Sequence, residues 1–144
     1  MMELDEHLNK WDMKCCPIDN SLKIFGQKFA LHIIRNILLL KQNKFSQFLR
    51  SIEGINTKTL SIRLKELEEF GIIQRKVTQK RPLEVEYVLT EKGKALEPII
   101  VKLGEFSMIF HAKTIFKDKK PKTVKHLFGS EILSTTIIKE IVII

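Results

Sequence analysis

Apolar residues recur at helical spacing in the middle of the chain, between residues 57 and 71. Positions three or four apart fall on one face of a helix of about 3.6 residues per turn, so these residues predict one buried stripe. The stripe consists of Leu60, Leu64, Leu67 and Phe70. Asn56 or Thr57 can cap this helix by accepting a hydrogen bond from a free amide, and Gly71 can end it in the left-handed conformation.

A shorter helix is predicted immediately before it, beginning at about Ser46. Its inward-facing residues are Phe45, Phe48, Leu49 and Ile52. Residues 53–56 form the intervening turn, in which Gly54 can adopt a positive φ at little cost and Ile55 can fill the gap between the helices. This order of helix, turn and helix is typical of a helix-turn-helix motif.

After Gly71 the pattern changes to the alternation that is typical of β-strands. Residues 72–79 and 83–89 form two predicted strands, and the second has four alternating apolar positions. These are Leu83, Val85, Tyr87 and Leu89. The hairpin loop, residues 79–82, carries Lys80 and Arg81. A hairpin that follows a helix-turn-helix can serve as its wing, and cations at the tip of such a wing can contact phosphates or the minor groove. A solvated turn is the alternative interpretation of these two cations.

The face of the longer helix opposite to the apolar stripe has an unusual composition. It carries Lys58, Ser61, Ile62 and Lys65. An exposed Ile gains nothing from water but can contact a thymine methyl group, so we expect this face to lie in a major groove. An ordinary amphipathic surface helix is the alternative, and for Arg63, at the border of the stripe, an ion pair with a neighbouring Glu competes with a phosphate contact. The candidate DNA-binding residues are Asn56, Thr57, Lys58, Thr59, Ser61, Ile62, Arg63, Lys65, Lys80 and Arg81.

From residue 16 to about residue 106 the chain resembles the HxlR family of winged helix-turn-helix transcriptional regulators, a branch of the MarR-like group. The matching segments are Cys16-Pro17-Ile18, Gly26-Gln27-Lys28-Phe29, Phe45-Ser46-Gln47-Phe48, Gly54-Ile55, Thr59-Leu60-Ser61-Ile62-Arg63-Leu64-Lys65-Glu66-Leu67, Gly71-Ile72-Ile73, Val85-Glu86-Tyr87 and Leu89-Thr90-Glu91-Lys92-Gly93-Lys94. Their order and spacing, rather than any one segment, carry the resemblance. The family usually has Trp where this chain has Phe29, and the tail after Lys117 has no counterpart in its pattern.

The resemblance implies a fold that is mainly α with a small β wing, with one winged helix-turn-helix domain per subunit. It also implies a homodimeric regulator that binds double-stranded DNA and dimerises through its terminal helices. Some members of the family sense oxidants or electrophiles through the cysteine that precedes the proline, which here is Cys16. A small molecule or an oxidant is therefore a conceivable effector of unknown identity.

The pattern before the helix-turn-helix predicts two more helices and an N-terminal arm. Residues 1–14 form the arm, with Leu4, Leu8 and Trp11 at helical spacing, and either pack on a partner subunit or fray. Pro17 suits the first turn of a helix that buries Leu22 and Phe25 and stops at Gly26. Residues 28–41 form an almost wholly apolar central helix. Its predicted buried residues are Phe29, Ile33, Ile34, Ile37, Leu38 and Leu40.

After the wing, Thr90 is placed to cap a further helix, which Pro98 should kink or restart. Its apolar residues exceed what the core of a small domain needs, which suggests a dimer interface shared with the N-terminal segment. They are Leu96, Ile99, Ile100, Leu103, Phe106 and Phe110. We therefore divide the chain into the arm (1–14), a winged domain with its dimerisation helix (15–112), and a basic linker with an apolar extension (113–144). In that extension, residues 131–144 are expected to form a final helix or strand.

Charge supports an anionic partner. The chain of 144 residues has a formal net charge of +8 and a pI near 9.5, and residues 41–81 alone hold ten Lys or Arg against four Glu. A non-specific architectural DNA-binding protein or a winged helix used for protein contacts are the alternatives to a sequence-specific regulator. The four histidines are scattered and no phosphate-binding loop is present in the sequence, so we expect no enzyme activity, no cofactor and no metal.

Two adjacent cysteines, Cys15 and Cys16, cannot build a disulfide framework, which is consistent with a reducing compartment. The acidic start of the chain does not resemble a targeting signal and no apolar run is long enough for a membrane span, so a cytoplasmic location is expected. Free amides at a helix N-terminus stabilise a thiolate, so Cys16 is a candidate redox sensor with Cys15 as a possible resolving thiol. The alternative is that Cys16 is a small buried residue.

Overall fold

The computed structural model describes residues 1–128, which separate into two compact units, one from Met1 to Thr90 and one from Glu91 onward. The helices of the first unit are α1 (Leu4–Lys10), α2 (Pro17–Phe25), α3 (Ala30–Leu40), α4 (Phe45–Ser51) and α5 (Thr57–Glu69). They are followed by the strands β1 (Ile73–Lys80) and β2 (Leu83–Leu89). The second unit contains α6 (Glu91–Lys94), α7 (Glu97–Phe110), α8 (Ala112–Ile115) and α9 (Val124–Phe128).

The core of the first unit is built around α3, as its apolar sequence predicts. Ile33 and Ile34 of this helix are fully buried, and so is Asn36. The apolar residues buried with them are Phe29, Ala30, Phe48, Ile52, Leu60, Leu64, Leu67, Ile72 and Ile73. The prediction that Leu40 is buried is wrong: its side chain is 53% exposed, because α3 ends there and the chain turns away at Lys41 in the left-handed region.

The helix α4 begins at Phe45, one residue earlier than predicted. The side-chain oxygen of Gln47 accepts hydrogen bonds from the amides of Asn43 (2.9 Å) and Lys44 (3.0 Å), which satisfies donors at the start of the helix. Gly54 has a φ of +79°, as the turn predicted, and Ile55 is half-buried between the helices it joins. The predicted helix-turn-helix is thus formed by α4 and α5.

Both predicted ends of α5 are confirmed. The side-chain oxygen of Asn56 accepts a hydrogen bond of 2.8 Å from the amide of Thr59. At the other end Gly71 has a φ of +75°, and the amides of Gly71 and Ile72 donate to Glu68 and Leu67 in the pattern of a Schellman motif. Phe70 was predicted to complete the buried stripe, but it is 40% exposed because α5 ends at Glu69.

The strands β1 and β2 form the predicted antiparallel wing, with Ile73 opposite Leu89 at its base and Lys80 opposite Leu83 at its tip. A register shift between Val77 and Gln79 interrupts the ladder. Leu83, at the tip, is 63% exposed. A two-stranded ribbon has core to pack against only near its base, and in β1 only Ile73 is buried.

The helix α2 lies on the surface of the first unit. Pro17 occupies its first turn and Gly26 follows its last residue, as predicted. Any side chain at Gly26 would collide with the carbonyl oxygen of Leu22, because the chain passes close over the end of the helix. Phe25 is half-buried, but Leu22 is 55% exposed, so the prediction that Leu22 is buried is wrong. No residue of α2 is buried, because the helix lies on the surface of the unit.

In the second unit, Pro98 falls in the first turn of α7, so the helix restarts there, which is one of the two outcomes predicted. Leu96 and Ile100 are buried, whereas five apolar side chains of α7 are exposed. These are Ile99, Leu103, Phe106, Ile109 and Phe110. The predicted extension over residues 131–144 lies outside the described residues. Within residues 1–128, no helix combines the length and the apolar character needed to span a bilayer.

Candidate nucleic-acid interface

The outer face of α5 is exposed and carries no ion pair among the described residues. It is formed by Lys58, Ser61, Ile62 and Lys65, on the side of the helix away from its buried leucines. Ile62 is 43% exposed, which agrees with its predicted place on this face. We call these four residues the reading face. It offers two cations, a hydroxyl group and an apolar side chain on one rigid helix.

Arg63 points away from the reading face and is engaged on both edges of its guanidinium group. Its Nε donates a hydrogen bond of 2.9 Å to the carbonyl oxygen of Lys28, and its Nη1 lies 3.0 Å from a carboxylate oxygen of Glu66. The predicted ion pair with a neighbouring Glu is therefore present. Because Lys28 precedes α3 in the chain, this contact ties the side of α5 to the start of the central helix.

The three candidates at the start of α5 differ in what they can offer. Asn56 already uses its side-chain oxygen as the helix cap. Thr57 is exposed at the first helical position, whereas Thr59 is half-buried. The free amides of this first turn make the helix end partially positive, which favours a phosphate close to Thr57.

The wing tip presents Lys80 and Arg81 to solvent, and neither forms an ion pair among the described residues. The side-chain amide of Gln79 donates to the carbonyl oxygen of Arg81 at 2.9 Å, so a local hydrogen bond fixes the turn. The tip lies at the far end of the ribbon from the buried Ile73. These two cations are thus held away from the core at a defined place.

Three contacts join the wing to the residues just before α4. The carbonyl oxygen of Asn43 accepts a hydrogen bond of 2.8 Å from the amide of Tyr87 in β2. Next to it, the ammonium group of Lys44 lies 3.9 Å from Glu84 and 4.0 Å from Glu86. The two ion pairs are partly exposed and contribute little energy, but the main-chain contact sets the distance between the wing and α4.

One cationic residue of this surface was missed as a candidate. Arg75 of β1 lines a cavity of about 330 Å³ between α5 and the wing, together with Ser61 and Lys65 of the reading face. In the sequence Arg75 contributed only to the local charge, because strand periodicity does not show which side of a ribbon faces the neighbouring helix. Glu68, Phe45, Leu64 and Tyr87 complete the lining.

A buried polar chain holds the end of α4. Asn36 is fully buried, and its side-chain oxygen accepts hydrogen bonds from Nε and Nη2 of Arg35 at 2.9 and 2.8 Å. Its amide donates to Gln42 at 3.0 Å, and the amide of Gln42 donates to the hydroxyl group of Ser51 at 2.7 Å. Since a buried amide without partners would be destabilising, this network specifies how α3 meets the last residue of α4.

Cys16 is the residue that precedes α2, with Pro17 as the first residue of the helix, as the sequence predicts. Cys16 is half-buried, Cys15 is exposed, and both thiols are free.

Partial burial lowers the pKa of His32 below its usual value, and the nearby positive charge of Arg35 lowers it further. Among the described residues, no group of three His, Cys, Asp or Glu side chains is suited to a metal ion.

Comparison with known proteins decides the family. The model of the HxlR-like helix-turn-helix family matches residues 24–114, which is well over half of the chain. The chain belongs to the HxlR family. The expected fold, mainly α with a winged helix-turn-helix, is confirmed, and this HxlR protein is a transcriptional regulator of the helix-turn-helix type.

Individual relatives agree with this assignment. The HTH-type transcriptional regulator sll1512 of Synechocystis sp. is 37% identical over 92 residues, which are 62% of this chain and 67% of the relative. The solved structure of the redox regulator HypR in its oxidised form is 33% identical, with a TM-score of 0.59, and the match covers 64% of this chain and 94% of HypR. The reduced form of the regulator YodB from Bacillus subtilis is 31% identical, with a TM-score of 0.56 and coverages of 68% and 95%.

Proposed function

We propose that this HxlR protein binds double-stranded DNA sequence-specifically as a homodimer. The observation that carries the proposal is the reading face, an exposed row of Lys58, Ser61, Ile62 and Lys65 on a helix that is capped at both ends. In the major groove, Ser61 and Ile62 contact base edges and a thymine methyl group, while the two lysines contact phosphates or guanine. Lys80 and Arg81 at the wing tip contact the backbone or the minor groove.

The remaining candidates have supporting tasks in this proposal. Thr57 and the amides at the start of α5 hold one phosphate, while Asn56 keeps the helix capped and Thr59 lies behind the first turn. Arg63 positions α5 through Lys28, so we do not assign it a DNA contact. Arg75 adds a cation on the side of the wing that faces Ser61 and Lys65.

A homodimer is proposed on the exposed apolar side chains. Leu103, Phe106 and Phe110 of α7 are each more than half exposed. In the N-terminal segment, Leu4 and Trp11 are also more than half exposed. Burying such side chains in a twofold interface removes apolar area from water and places two reading faces on the half-sites of one operator.

Two other functions make different demands. An architectural DNA-binding protein needs the positive charge but no reading face, and a winged helix that binds proteins needs neither cation at the wing tip. The exposed Ser61 and Ile62 between two lysines favour the regulator over both. We propose no enzyme activity, and a cytoplasmic location, where a regulator of this family meets its DNA.

The test is a mobility-shift titration with DNA from upstream of the protein's own coding region, with competitor DNA, at two salt concentrations. Replacing Ser61 and Ile62 by Ala should weaken binding to the specific site by about 1–3 kcal/mol for each good base contact and leave competitor binding unchanged. Ile18→Ala with Ser21→Ala, the same two substitutions at exposed positions of α2, is the control. Equal losses for specific and competitor DNA would instead indicate an architectural protein, and no DNA binding would leave the protein-contact function.

An oxidant is our proposed class of effector. HypR is described as a redox regulator, and YodB has been solved in a reduced form. In this chain Cys16 is half-buried, has a free thiol and immediately precedes α2. We propose that oxidation of Cys16 lowers the affinity for DNA, with the adjacent Cys15 available to react with a sulfenic acid.

A further inference from the structure

A lysine-rich segment lies beyond the part of the chain that the family model matches. Residues 117–125, here called the basic loop, contain five lysines and one aspartate, whereas the family match ends at residue 114. Lys122 is neutralised by Asp118, at 2.6 Å. The other four lysines are exposed and form no ion pair among the described residues. They are Lys117, Lys119, Lys120 and Lys125.

The basic loop is held at its base by α7. The amide of Val124 donates a hydrogen bond of 3.1 Å to the carboxylate of Glu105, and Val124 itself is buried. The ammonium group of Lys122 lies 4.3 Å from the centre of the Phe116 ring and pairs with Asp118, whose carboxylate also accepts from the amide of Lys120. These contacts close the loop, so its four free lysines project from a defined turn rather than from a free tail.

We propose that the basic loop is a second, sequence-independent contact with DNA phosphates, which this protein has in addition to its helix-turn-helix. The inference rests on the proposed DNA binding. Lysine is a point charge without the fixed fork of arginine, so a cluster of lysines suits phosphates rather than base edges. Because the loop is already closed by Glu105 and Asp118, little conformational freedom is lost when its lysines meet an anion.

DNA is the polyanion that the observations favour. The same chain carries the reading face and the wing tip, so DNA is the polyanion that this protein already binds under the proposed function. A lipid surface would need apolar side chains beside the lysines in order to insert, and the exposed part of the loop between Lys117 and Lys120 is wholly charged. An anionic membrane is therefore the competing outcome of the test.

The experiment compares two variants of the full chain with equal net charge. In the loop variant, Lys117, Lys120 and Lys125 are replaced by Gln, and in the control variant the exposed Lys10, Lys14 and Lys23 are replaced by Gln. The dissociation constant for an operator duplex is measured at salt concentrations from roughly 50 to 300 mM, because binding through phosphate contacts weakens steeply with salt over this range. The loop variant should flatten the slope of log K against log salt by about 2.7 per subunit, and equally for competitor DNA.

The outcomes separate this inference from the proposed function. If the loop variant matches the control variant while Lys80→Ala with Arg81→Ala still flattens the slope, the basic loop does not contact DNA and the winged domain does. If the wild-type chain binds no DNA, both proposals are wrong. Loss of binding to vesicles of phosphatidylserine, with an unchanged DNA slope, overturns the inference in favour of a membrane.

A second variant tests the closure of the loop without removing a lysine. Glu105→Gln weakens the acceptor for the amide of Val124 and the ion pair with Lys102. Binding to all DNA sequences should fall severalfold, because the lysines then have to be ordered at each binding event. The variant raises the net charge, so a purely electrostatic account without a closed loop predicts tighter binding, the opposite sign.

Discussion

The Nε of Arg63 donates a hydrogen bond of 2.9 Å to the main-chain carbonyl oxygen of Lys28, which lies 35 residues earlier in the chain. The same guanidinium group pairs with Glu66, one turn along α5. Arg63 thus fixes the orientation of α5 against the start of α3. It lies among the residues of the reading face in sequence, but its side chain points away from them.

Arg63→Ala should therefore act on DNA binding through position rather than charge. We expect the free energy of unfolding to fall by about 1 kcal/mol, since a charge-assisted hydrogen bond near the surface is lost. Specific DNA affinity should fall while the salt dependence of binding stays unchanged. Lys58→Ala is the matched control, and it should flatten the slope of log K against log salt by about 0.9 per subunit. An equal flattening for Arg63→Ala would make it a phosphate contact.

The local features of the winged domain could be predicted because each depends on residues close in sequence. The cap at Asn56 needs only the first turn of the helix, and Gly54 and Gly71 adopt positive φ because the chain reverses there. The contact of Arg63 with Lys28 could not be predicted, since nothing in α5 shows which loop passes beside it.

Burial was predicted less well than periodicity. Leu22, Leu40 and Phe70 each lie at an apolar position of a helix but are exposed. A periodic pattern shows that residues share a face, but not whether another element covers that face at its ends. The exposed residues of α7 have the same pattern, and there we propose that a second subunit covers them.

The wing tip should contribute to affinity but not to sequence discrimination. Replacing Lys80 and Arg81 by Ala removes two exposed cations that form no ion pair among the described residues. We expect binding to specific and competitor DNA to weaken alike, with a slope flatter by about 1.8 per subunit. Lys10→Ala with Lys14→Ala removes the same charge elsewhere. A change in the ratio of specific to competitor binding would show that the tip reads bases.

The basic loop should open in acid. The hydrogen bond from the amide of Val124, together with Lys102, lowers the pKa of Glu105 below its usual value, and contacts with Lys122 and the amide of Lys120 lower the pKa of Asp118. Both carboxylates are more acidic in the folded loop, so their stabilisation is present above their usual pKa values and is lost as the pH falls through the lowered ones. Proteolysis of the loop by pepsin, measured from pH 5 to about 2 and divided at each pH by the rate at which pepsin cleaves an unfolded peptide, should accelerate over that range. In Glu105→Gln with Asp118→Asn the acceleration should be absent.

The exposed apolar residues of α7 should control assembly. Leu103→Glu with Phe106→Glu places charges where we propose that a twofold interface excludes water, and a buried unpaired charge is strongly destabilising. Light scattering at micromolar concentration should show a dimer for the wild-type chain and a monomer for this variant. Replacing the exposed Lys113 and Thr114 by Glu, outside the apolar row, should leave the dimer intact. A monomeric wild-type chain would refute the proposed dimer.

A redox response should depend on Cys16 more than on Cys15. Peroxide converts a thiolate to a sulfenic acid and is itself reduced to water, and at the start of α2 this adds a polar oxygen to a half-buried side chain. A disulfide between neighbours in sequence is strained and would distort the start of the helix. We therefore expect oxidation to disturb the packing of α2 and to lower the affinity for DNA.

The measurement compares DNA binding of the reduced and the peroxide-treated chain with that of Cys16→Ser and Cys15→Ser. Wild-type protein should lose affinity on treatment and recover it with a thiol reductant, because a sulfenic acid or a disulfide is reducible whereas overoxidised sulfur is not. Cys16→Ser should bind DNA with the affinity of the reduced protein and ignore peroxide. Cys15→Ser, which keeps the thiol at the start of α2, should still respond but recover more slowly, since no neighbouring thiol protects the sulfenic acid. Equal affinity in the reduced, oxidised and Cys16→Ser proteins would make Cys16 a structural residue.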